Sequence, residues 1–509
     1  MVWNLKEGVV DFAHYIVYGF SVALSPINLL SCFLGALLGT LIGVLPGLGP
    51  AASIALLLPL TFKMPVTSSL IMLAGIFYGA MYGGSTTSIL VNIPGESASV
   101  VTCFDGYQMA QKGRAGPALG IAAFGSFIAG TFGALMIMLI APFIVRVALK
   151  FGPPEFVGLM FLGLTMVAFL SGESLLKAVM MALIGLILGT VGVDPVSGVQ
   201  RFTLGYPYLM GGIEIISLVM GLFGISEVLI NMEKILKQEV FKSRIKGLFP
   251  TKKDWKDSVG PISRGSILGF FLGTLPGVGA IIPTFISYGL EKRLSKYPER
   301  FGTGVIEGVA GPETTNNAAS MGGFIPLLTL GIPSTVIMAL FMGALIIHGV
   351  QPGPLLMREH PDIFWGVIVS MYIGNVILLV LNLPLIGVWV KMLSIPYAIL
   401  FPLIILFCII GAYSVNGSYQ DIIVLMIFGG IGYLIRKLKF EAAPLILGFI
   451  LGPMIEVAFR QSLLISSGSF SIFISRPISL GFFVISLVLL LSSPLMAWLK
   501  KPYHEQEEK

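Results

Sequence analysis

The longest uncharged run does most to limit what this chain can fold into. Residues 12–62 contain no Asp, Glu, Lys or Arg, and residues 64–95, 115–145, 363–390, 397–420 and 477–499 are also free of charge. A helix that crosses a membrane needs about 20 mostly apolar residues. Several of these runs are long enough for a complete crossing, so the sequence predicts an all-α polytopic membrane protein with about 10–12 hydrophobic segments.

The composition supports this class over the alternatives. The chain is 56% hydrophobic and only 11% charged, whereas a soluble domain carries about 25% charged residues. A transmembrane β-barrel would show short segments of alternating hydrophobicity between polar turns, and the sequence has none. Residues 1–11 lack the pattern of a cleavable signal peptide, so we expect the first segment to be retained.

A Pro-Gly motif occurs twice, as GVLPGLGP at residues 43–50 and as GTLPGVGA at residues 273–280. The two copies are 230 positions apart (276 − 46 = 230). Pro and Gly interrupt helices, and interrupted helices at corresponding positions of two halves indicate the binding site of a transporter. We therefore assign the substrate site to the tips of both motifs, with glycine N–H groups as donors: Pro46, Gly47, Gly49, Pro276, Gly277 and Gly279.

The apolar arm that follows the first motif is short. Residues 51–62 form a helix of about 12 residues, and at roughly 1.5 Å per residue such a helix cannot cross a membrane. The sequence therefore predicts a re-entrant hairpin with its tip at residues 46–50. Irregular backbone at membrane depth must be buried in protein or line a cavity, so the tip should face a cavity.

The stretch YGGSTTSILVNIPGES at residues 82–97 contains hydroxyl residues, an Asn and a Pro-Gly pair within apolar surroundings. Hydroxyl and amide oxygens, with carbonyls freed by an unwound helix, suit Na⁺, and a half-helix N-terminus suits a carboxylate. Packing between membrane helices is the alternative reading, since small and hydroxyl residues are enriched there. We assign substrate contacts to Ser85, Thr86 and Thr87, and ion contacts to Ser88, Asn92, Pro94 and Gly95.

The second half contains a counterpart, GPETTNNAAS at residues 311–320 followed by LGIPST at residues 330–335. The Ile-Pro pairs of the two halves are 239 positions apart (333 − 94 = 239). Glu313 is an acid within a weakly charged stretch, and an intramembrane carboxylate is a functional hypothesis by default. We assign substrate contacts to Thr314, Thr315, Asn316, Asn317 and Ser334, and ion contacts to Asn316, Ser320 and Pro333.

The domain organisation follows from this duplication. Residues 1–233 and 262–475 form two membrane repeats, and residues 476–509 form a last transmembrane segment with a polar tail. Between the repeats, residues 234–261 are rich in Lys and Arg, and the positive-inside rule predicts a cytoplasmic linker. The sequence leaves parallel and inverted repeats open, although paired broken helices favour inverted repeats.

Other functional classes lack their motifs. GxxxxGK[ST], HExxH and GxSxG are absent, and the GxGxxA match at residues 47–52 has no βαβ unit around it. The four His and three Cys have no spacing suited to a metal site. We therefore expect neither an enzyme nor a nucleic-acid-binding protein, with no cofactor other than a coupling ion. An anion or ion channel subunit remains the alternative.

Several motifs together closely resemble one family. They are GVLPGLGP at 43–50, FDGY at 104–107 with KGRAG at 112–116, the segment 273–296, PETTNNA at 312–318, GAYSVN at 411–416, RQSL at 460–463 and SRPI at 475–478. Over nearly its whole length the chain resembles the large membrane subunit of tripartite tricarboxylate transporters, the TctA family. It departs from the family pattern at Ser334, where a Gly is expected, at Pro283, and at Val457-Ala458, which replaces a more acidic pair.

The resemblance implies a multi-pass secondary transporter of the bacterial inner (cytoplasmic) membrane, with an elevator-like motion driven by Na⁺ or H⁺. It implies two protein partners, a small membrane subunit (TctB-like) and a periplasmic solute-binding protein (TctC-like). The transported substrate would be a tricarboxylate such as citrate, or a related carboxylate.

Overall fold

The computed structural model describes residues 5–45, 49–170, 174–194, 196–233, 247–393 and 397–504. Within these ranges nearly all regular structure is helical. The one β-ladder of the described residues is antiparallel and pairs β1, Gly192–Val193, with β2, Gln200–Arg201. The all-α class predicted from the sequence is confirmed.

The helices follow one another with short connections. In the first half they are α1 Leu5–Ala23, α2 Pro26–Gly43, α3 Pro50–Leu57, α4 Val66–Val91, α5 Val100–Gln111, α6 Ala115–Ala148, α7 Pro153–Leu170, α8 Leu175–Gly189, α9 Ile215–Val219 and α10 Ser226–Glu233. In the second half they are α11 Lys252–Gly273, α12 Ile281–Leu294, α13 Glu307–Gly322, α14 Phe324–Leu330, α15 Val336–Ile347, α16 Leu356–Glu359, α17 Pro361–Asn382, α18 Ile386–Met392, α19 Tyr397–Asn416, α20 Tyr419–Lys437, α21 Ala442–Ile465, α22 Ile472–Ser475 and α23 Pro477–His504. Shorter 3₁₀ turns lie at Leu58–Thr61, Ser97–Ser99, Pro207–Gly211 and Pro298–Arg300, and a π-helical turn lies at Met220–Ile225.

Many of these helices are long and apolar enough to cross a membrane. The described residues contain 8 such helices and five shorter apolar helices of 10–17 residues, against the expected 10–12 hydrophobic segments. Large apolar side chains such as Val17, Phe143 and Leu176 are exposed on the outer faces. The protein is therefore a polytopic membrane protein, as the uncharged runs predict. Cys32, Cys103 and Cys408 are free and buried.

Each Pro-Gly motif lies between two helices that form a hairpin. In the first hairpin, α2 precedes the motif and the short α3 follows it, and the 3₁₀ turn Leu58–Thr61 extends α3. In the second hairpin, α11 and α12 occupy the same positions. Helix α11 begins at Lys252, inside the stretch predicted as a linker, and residues 234–246 of that stretch lie outside the described residues. The domain boundaries stay a prediction.

The two hairpins pack in the same way against the helix that follows each of them in its repeat. One ridge of glycines on α2 lies directly on backbone carbonyls of α4, and an equivalent ridge on α11 lies on carbonyls of α13. A Cβ at any of these glycines would collide with the facing carbonyl oxygen, so small residues set the close approach of the helices. The glycine–carbonyl pairs are Gly35–Met72, Gly39–Ile76 and Gly43–Ala80 in the first repeat, and Gly265–Gly311, Gly269–Thr315 and Gly273–Ala319 in the second.

Both repeats also contain a helix break with the same backbone geometry. Helix α4 ends at the left-handed Asn92 (φ 58°), and α14 ends at the left-handed Gly331 (φ 71°). The chain then turns into a new helix at an N-cap, Glu96 (φ −146°, ψ 164°) or Thr335 (φ −144°, ψ 170°). Both pairs of equivalent residues are 239 positions apart, as the Ile-Pro alignment predicts. The prediction that the segment around Pro94 is unwound is confirmed.

Candidate functional site

A cavity of about 740 Å³ lies where the hairpins and the helix breaks meet. The two hairpin tips, to which the sequence assigns the substrate site, and the two breaks therefore line the same cavity. The hairpin tips contribute Gly49, Pro50, Gly277, Val278 and Gly279, and the breaks contribute Pro94, Gly95, Glu96, Ser334 and Thr335.

Four helices present their first residues to this cavity. Pro50 of α3, Ile281 of α12 and Val336 of α15 line it, and Val100 of α5 lines it together with the preceding 3₁₀ turn. The first turn of a helix has unpaired N–H groups and carries the positive end of the helix dipole. The convergence of four such ends makes the cavity favourable for an anion.

The cavity wall also contains charged side chains that lie outside the repeated motifs. Arg436, in the last turn of α20, lines the cavity and forms an ion pair with Glu227 of α10, which also lines it. The side chain of Arg436 is 32% exposed. A guanidinium has the planar geometry that binds a carboxylate with two parallel hydrogen bonds. The cavity therefore has a cation that the motifs alone do not supply.

A buried polar cluster joins the two repeats beside the cavity. Glu96 of the first repeat accepts a hydrogen bond of 2.7 Å from Asn316 Nδ2 of the second. Glu313 of the second repeat accepts hydrogen bonds from the hydroxyls of Ser85 and Thr102 of the first. All five side chains are less than 10% exposed. Because Glu96 also lines the cavity, this cluster connects the cavity wall to the interior of both repeats.

Further hydrogen bonds extend the cluster. Asn317 Nδ2 donates to Ser126 Oγ at 2.7 Å, and Ser88 Oγ donates to Ser99 Oγ at 2.8 Å. The Ser320 hydroxyl donates to the carbonyl of Asn316 at 2.9 Å. Uncharged donors thus surround the two carboxylates, and no ion pair between described residues includes either of them.

Eleven of the residues assigned from the sequence lie at the cavity or in the cluster. Ser334 lines the cavity, and its hydroxyl donates to the Gly323 carbonyl at 3.1 Å. The Ser320 hydroxyl belongs to the cluster, where it donates to the carbonyl of Asn316. The other cavity-lining residues among them are Gly49, Pro94, Gly95, Gly277 and Gly279, and Ser85, Ser88, Asn316 and Asn317 belong to the cluster.

The remaining assigned residues lie elsewhere. Thr314 and Thr315 donate to backbone carbonyls within α13 and lie in helix contacts. Thr87 Oγ1 donates to the Val44 carbonyl at 2.7 Å. Asn92 is exposed and contributes its left-handed backbone to the break. Thr86 lines a second, smaller cavity, Pro276 and Pro333 precede cavity-lining residues without lining the cavity themselves, and Pro46 and Gly47 lie outside the described residues.

A model of the tripartite tricarboxylate transporter TctA family matches residues 29–447. The chain belongs to the TctA family. This confirms the resemblance based on the motifs and indicates a family of transporters rather than of enzymes.

Two proteins of Agrobacterium vitis are similar to this member of the TctA family. One, described as an uncharacterized 52.8 kDa protein in the TAR-I ttuC' 3'region, is 50% identical over 479 residues, which cover 94% of this chain and 95% of that protein. The other, an uncharacterized protein in the TAR-II ttuC' 3'region, is 50% identical over 220 residues, 43% of this chain and 91% of that protein. No solved structure matches the chain.

Sequence reasoning left several cluster and cavity residues unassigned. Glu96 had a clear signal, because it is the one acid among residues 12–104 and sits directly after the Pro-Gly pair. Thr102 and Ser126 had no local signal, since hydroxyl residues are common in membrane helices. Arg436 lies far from the motifs in sequence, and only the packing of α20 brings it to the cavity.

Proposed function

We propose that the chain is the substrate-translocating large subunit of a binding-protein-dependent secondary transporter. It imports a tricarboxylate such as citrate, or a related carboxylate, and a gradient of Na⁺ or H⁺ drives the import. The convergence of four helix N-termini on one cavity carries this proposal, because a multiply charged anion is costly to place in an apolar interior and needs such compensation.

The cavity can bind the carboxylate from several sides without binding it too tightly for release. Helix N-termini from both repeats surround it, so an elongated anion with two or more carboxylates can be held from both sides at once. Arg436 supplies one formal positive charge, and Glu227 already neutralises part of it. An incoming carboxylate therefore competes with Glu227 for the guanidinium, and this competition allows release after translocation.

The proposed assembly divides the work between subunits. A periplasmic solute-binding protein (TctC-like) captures the carboxylate and delivers it, and a small membrane subunit (TctB-like) accompanies this chain in the bacterial inner membrane. The membership in the TctA family supports both partners. In this arrangement the large subunit does not need a high-affinity site of its own.

Uptake into liposomes tests the proposal. The chain and its small subunit are reconstituted, and labelled citrate and a panel of dicarboxylates are offered with and without the binding protein, under an imposed Na⁺ or H⁺ gradient. Accumulation that requires both the binding protein and a gradient is the expected result. Equilibration without a gradient would instead indicate a channel subunit, and absence of flux for every carboxylate would contradict the proposed substrate class.

Two variants test whether carboxylate uptake depends on the buried cluster and on the cavity wall. The double variant Asn316→Ala with Asn317→Ala is expected to abolish uptake while membrane insertion persists, because Glu96 and Ser126 both lose their amide partners. Arg436→Gln should raise the KM for the carboxylate by about tenfold or more, the effect of losing a charge-assisted hydrogen bond. Arg358→Gln is the matched control, because Arg358 is exposed and does not line the cavity.

A further inference from the structure

A second, much smaller cavity lies beside the buried polar cluster. Its volume is about 10 Å³, which is enough for one particle about the size of a water molecule. Its apolar lining residues are Leu119, Ala122, Ala123 and Ile386. The polar side chains in its wall are Tyr82, Ser85, Thr86, Ser126 and Asn382.

Two polar atoms of this wall have no hydrogen-bond partner among the described residues, the Tyr82 hydroxyl and Asn382 Oδ1. Tyr82 is 3% exposed and Asn382 is 5% exposed. A buried polar atom without a partner costs free energy, and in native proteins such atoms are normally satisfied by protein, water or an ion. Both residues line the small cavity, so a particle inside it can satisfy both.

The small cavity is one hydrogen bond away from a buried carboxylate. Ser85, in the cavity wall, donates its hydroxyl to Glu313, which is 1% exposed. Among the described residues, the Glu313 carboxylate is hydrogen-bonded only to Ser85 and Thr102, and it takes part in no ion pair. A carboxylate held in a membrane-embedded interior is paired with a cation or carries a proton.

We propose that the small cavity binds Na⁺, with oxygen atoms of Tyr82, Ser85, Ser126 and Asn382 as ligands and with Glu313 balancing the charge. A donor set made only of oxygen atoms suits a hard cation. The small cavity has room for one Na⁺ without its hydration shell. The role of this Na⁺ in driving transport rests on the proposed function, whereas its binding does not.

The site has a direct physical connection to the large cavity. Na⁺ beside Ser85 fixes the Glu313 carboxylate, and Asn316 follows Glu313 by one turn of α13. Asn316 in turn holds Glu96, which lines the large cavity. Binding of Na⁺ therefore stabilises the arrangement of the wall that meets the carboxylate. Coupling between two ligands typically changes affinity by about 5–150-fold, and it is reciprocal.

Binding of ²²Na⁺ to the purified full-length chain with its small subunit tests the proposal. The ionic strength is kept constant with choline chloride, and competition by excess unlabelled Na⁺ is measured in parallel. Wild-type protein should bind ²²Na⁺ saturably, and unlabelled Na⁺ should displace it. Glu313→Gln should abolish the binding, because it removes the balancing charge.

A matched pair of conservative variants separates the site from general effects on the fold. Tyr82→Phe removes the unpartnered hydroxyl of the small cavity, and Tyr78→Phe removes another buried, unpartnered hydroxyl one turn earlier on α4. Neither hydroxyl has a protein partner, so both variants should fold. We expect Tyr82→Phe to weaken Na⁺ binding by about tenfold or more and Tyr78→Phe to match the wild type.

Each alternative result is distinct. Absence of saturable ²²Na⁺ binding to the wild type, or equal affinities in the two Tyr variants, would overturn the proposal and leave the small cavity as a site for a water molecule only. Proton-driven carboxylate uptake without Na⁺ binding would overturn the site while the proposed transport function stands. Tyr82-dependent Na⁺ binding without uptake of any carboxylate would support the site and overturn the transport function.

Discussion

The two repeats share a backbone but differ in chemistry. At the helix breaks, Glu96 and Thr335 occupy equivalent positions, adopt nearly the same φ and ψ angles and cap the following helix with their side chains. Only Glu96 is acidic, and its carboxyl group reaches across to Asn316. The residues just before them, Gly95 and Ser334, also differ. The break itself therefore does not require a particular cap side chain, and the acidic group at this position serves another purpose.

The contact between the repeats shows the same contrast. Ser85 meets the carboxylate of Glu313, whereas Phe324, the equivalent of Ser85 in the second repeat (324 − 85 = 239), meets aromatic rings. The Phe324 ring lies 6.2 Å from that of Phe77 and 6.0 Å from that of Tyr78, measured between centroids. One half of the interface is thus polar and the other aromatic. A duplicated framework produces a single cluster with buried carboxyl groups rather than two.

The largest expected effect comes from making the first break resemble the second. Glu96→Thr should keep a capping side chain, as Thr335 does, but it removes the acceptor of the Asn316 amide. Hydrogen bonds to charged groups contribute about 1.5–3 kcal/mol, so carboxylate uptake should fall by about 10–100-fold. Initial rates of labelled citrate uptake in liposomes measure this loss.

Thr335→Ser is the control for that variant. It keeps the hydroxyl that accepts from the Met338 N–H, so uptake should stay within about twofold of the wild type. A loss of uptake in Thr335→Ser as large as that in Glu96→Thr would contradict the chemical difference between the two breaks.

The next effect concerns the residue before each cap. A Cβ at Gly95 would collide with the Gly84 backbone and lie 2.8 Å from the Gly43 carbonyl oxygen, whereas Ser334 already has a side chain at the equivalent position. Gly95→Ala should therefore lower the free energy of unfolding by about 1–3 kcal/mol, as overpacked sites do. Ser334→Gly should cost less than about 1.5 kcal/mol, since it loses one neutral hydrogen bond. Thermal unfolding in detergent measures both, and equal losses would contradict the asymmetry.

At the glycine ridges, in contrast to the breaks, the two repeats are alike. Gly39 faces the Ile76 carbonyl and Gly269 faces the Thr315 carbonyl at the same close approach. Gly39→Ala and Gly269→Ala should each destabilise the protein by about 1–3 kcal/mol and should differ from each other by less than about 1 kcal/mol. A strong effect in one variant alone would show that only one hairpin is tightly packed.

The smallest effect is at an ion-pair network that joins Asp194, in the segment that follows α8, to Arg460 of α21. Asp194 accepts hydrogen bonds from Ser197 Oγ at 2.5 Å and from Arg460 at 2.9 Å. The Ser197 hydroxyl above all, with the Val196 N–H, Arg460 and Arg201, holds the pKa of Asp194 well below its usual range. A lowered pKa in the folded state gives stability that is complete above the unfolded value of about 3.9 and is lost as the pH falls towards the folded value.

Asp194→Asn should therefore lower the melting temperature by about one or two degrees at neutral pH, because the arginines that pair with Asp194 are partly exposed to solvent and such ion pairs contribute little. The difference from the wild type should persist down to about pH 4 and shrink below it. Melting curves between pH 7 and pH 3 measure this, and a difference that grows as the pH falls below 4 would contradict the account.

The sequence predicts the framework of this protein better than its contacts. The uncharged runs predict the membrane helices, and the two Pro-Gly motifs predict the hairpins, because burial in lipid and helix breaking depend on local composition. The spacing of the Ile-Pro pairs also predicts the break that Asn92 and Gly331 share. These features need no knowledge of which helices touch.

The contacts of the site depend on tertiary packing, which local patterns do not encode. Thr314 and Thr315 are polar and uncharged, as Asn316 is. The helical period nevertheless turns the two threonines towards other helices and turns Asn316 towards Glu96. Arg436 reaches the cavity although it lies 101 residues beyond Thr335 of the second break (436 − 335 = 101). The side-chain contacts between the two repeats are therefore found only in the structure and are not predicted by the sequence.

The central claim is that the cavity between the repeats receives the carboxylate. Ser97→Cys and Val336→Cys place a thiol in the cavity wall of the first and second repeat, and Ser469→Cys places one in an exposed loop as a control. The rate of maleimide modification is measured in the reconstituted chain with and without citrate or a transported dicarboxylate. The account predicts that the carboxylate slows modification of both cavity thiols and leaves the loop thiol unchanged. Unchanged rates at both cavity positions, in a preparation that transports the carboxylate, would contradict it.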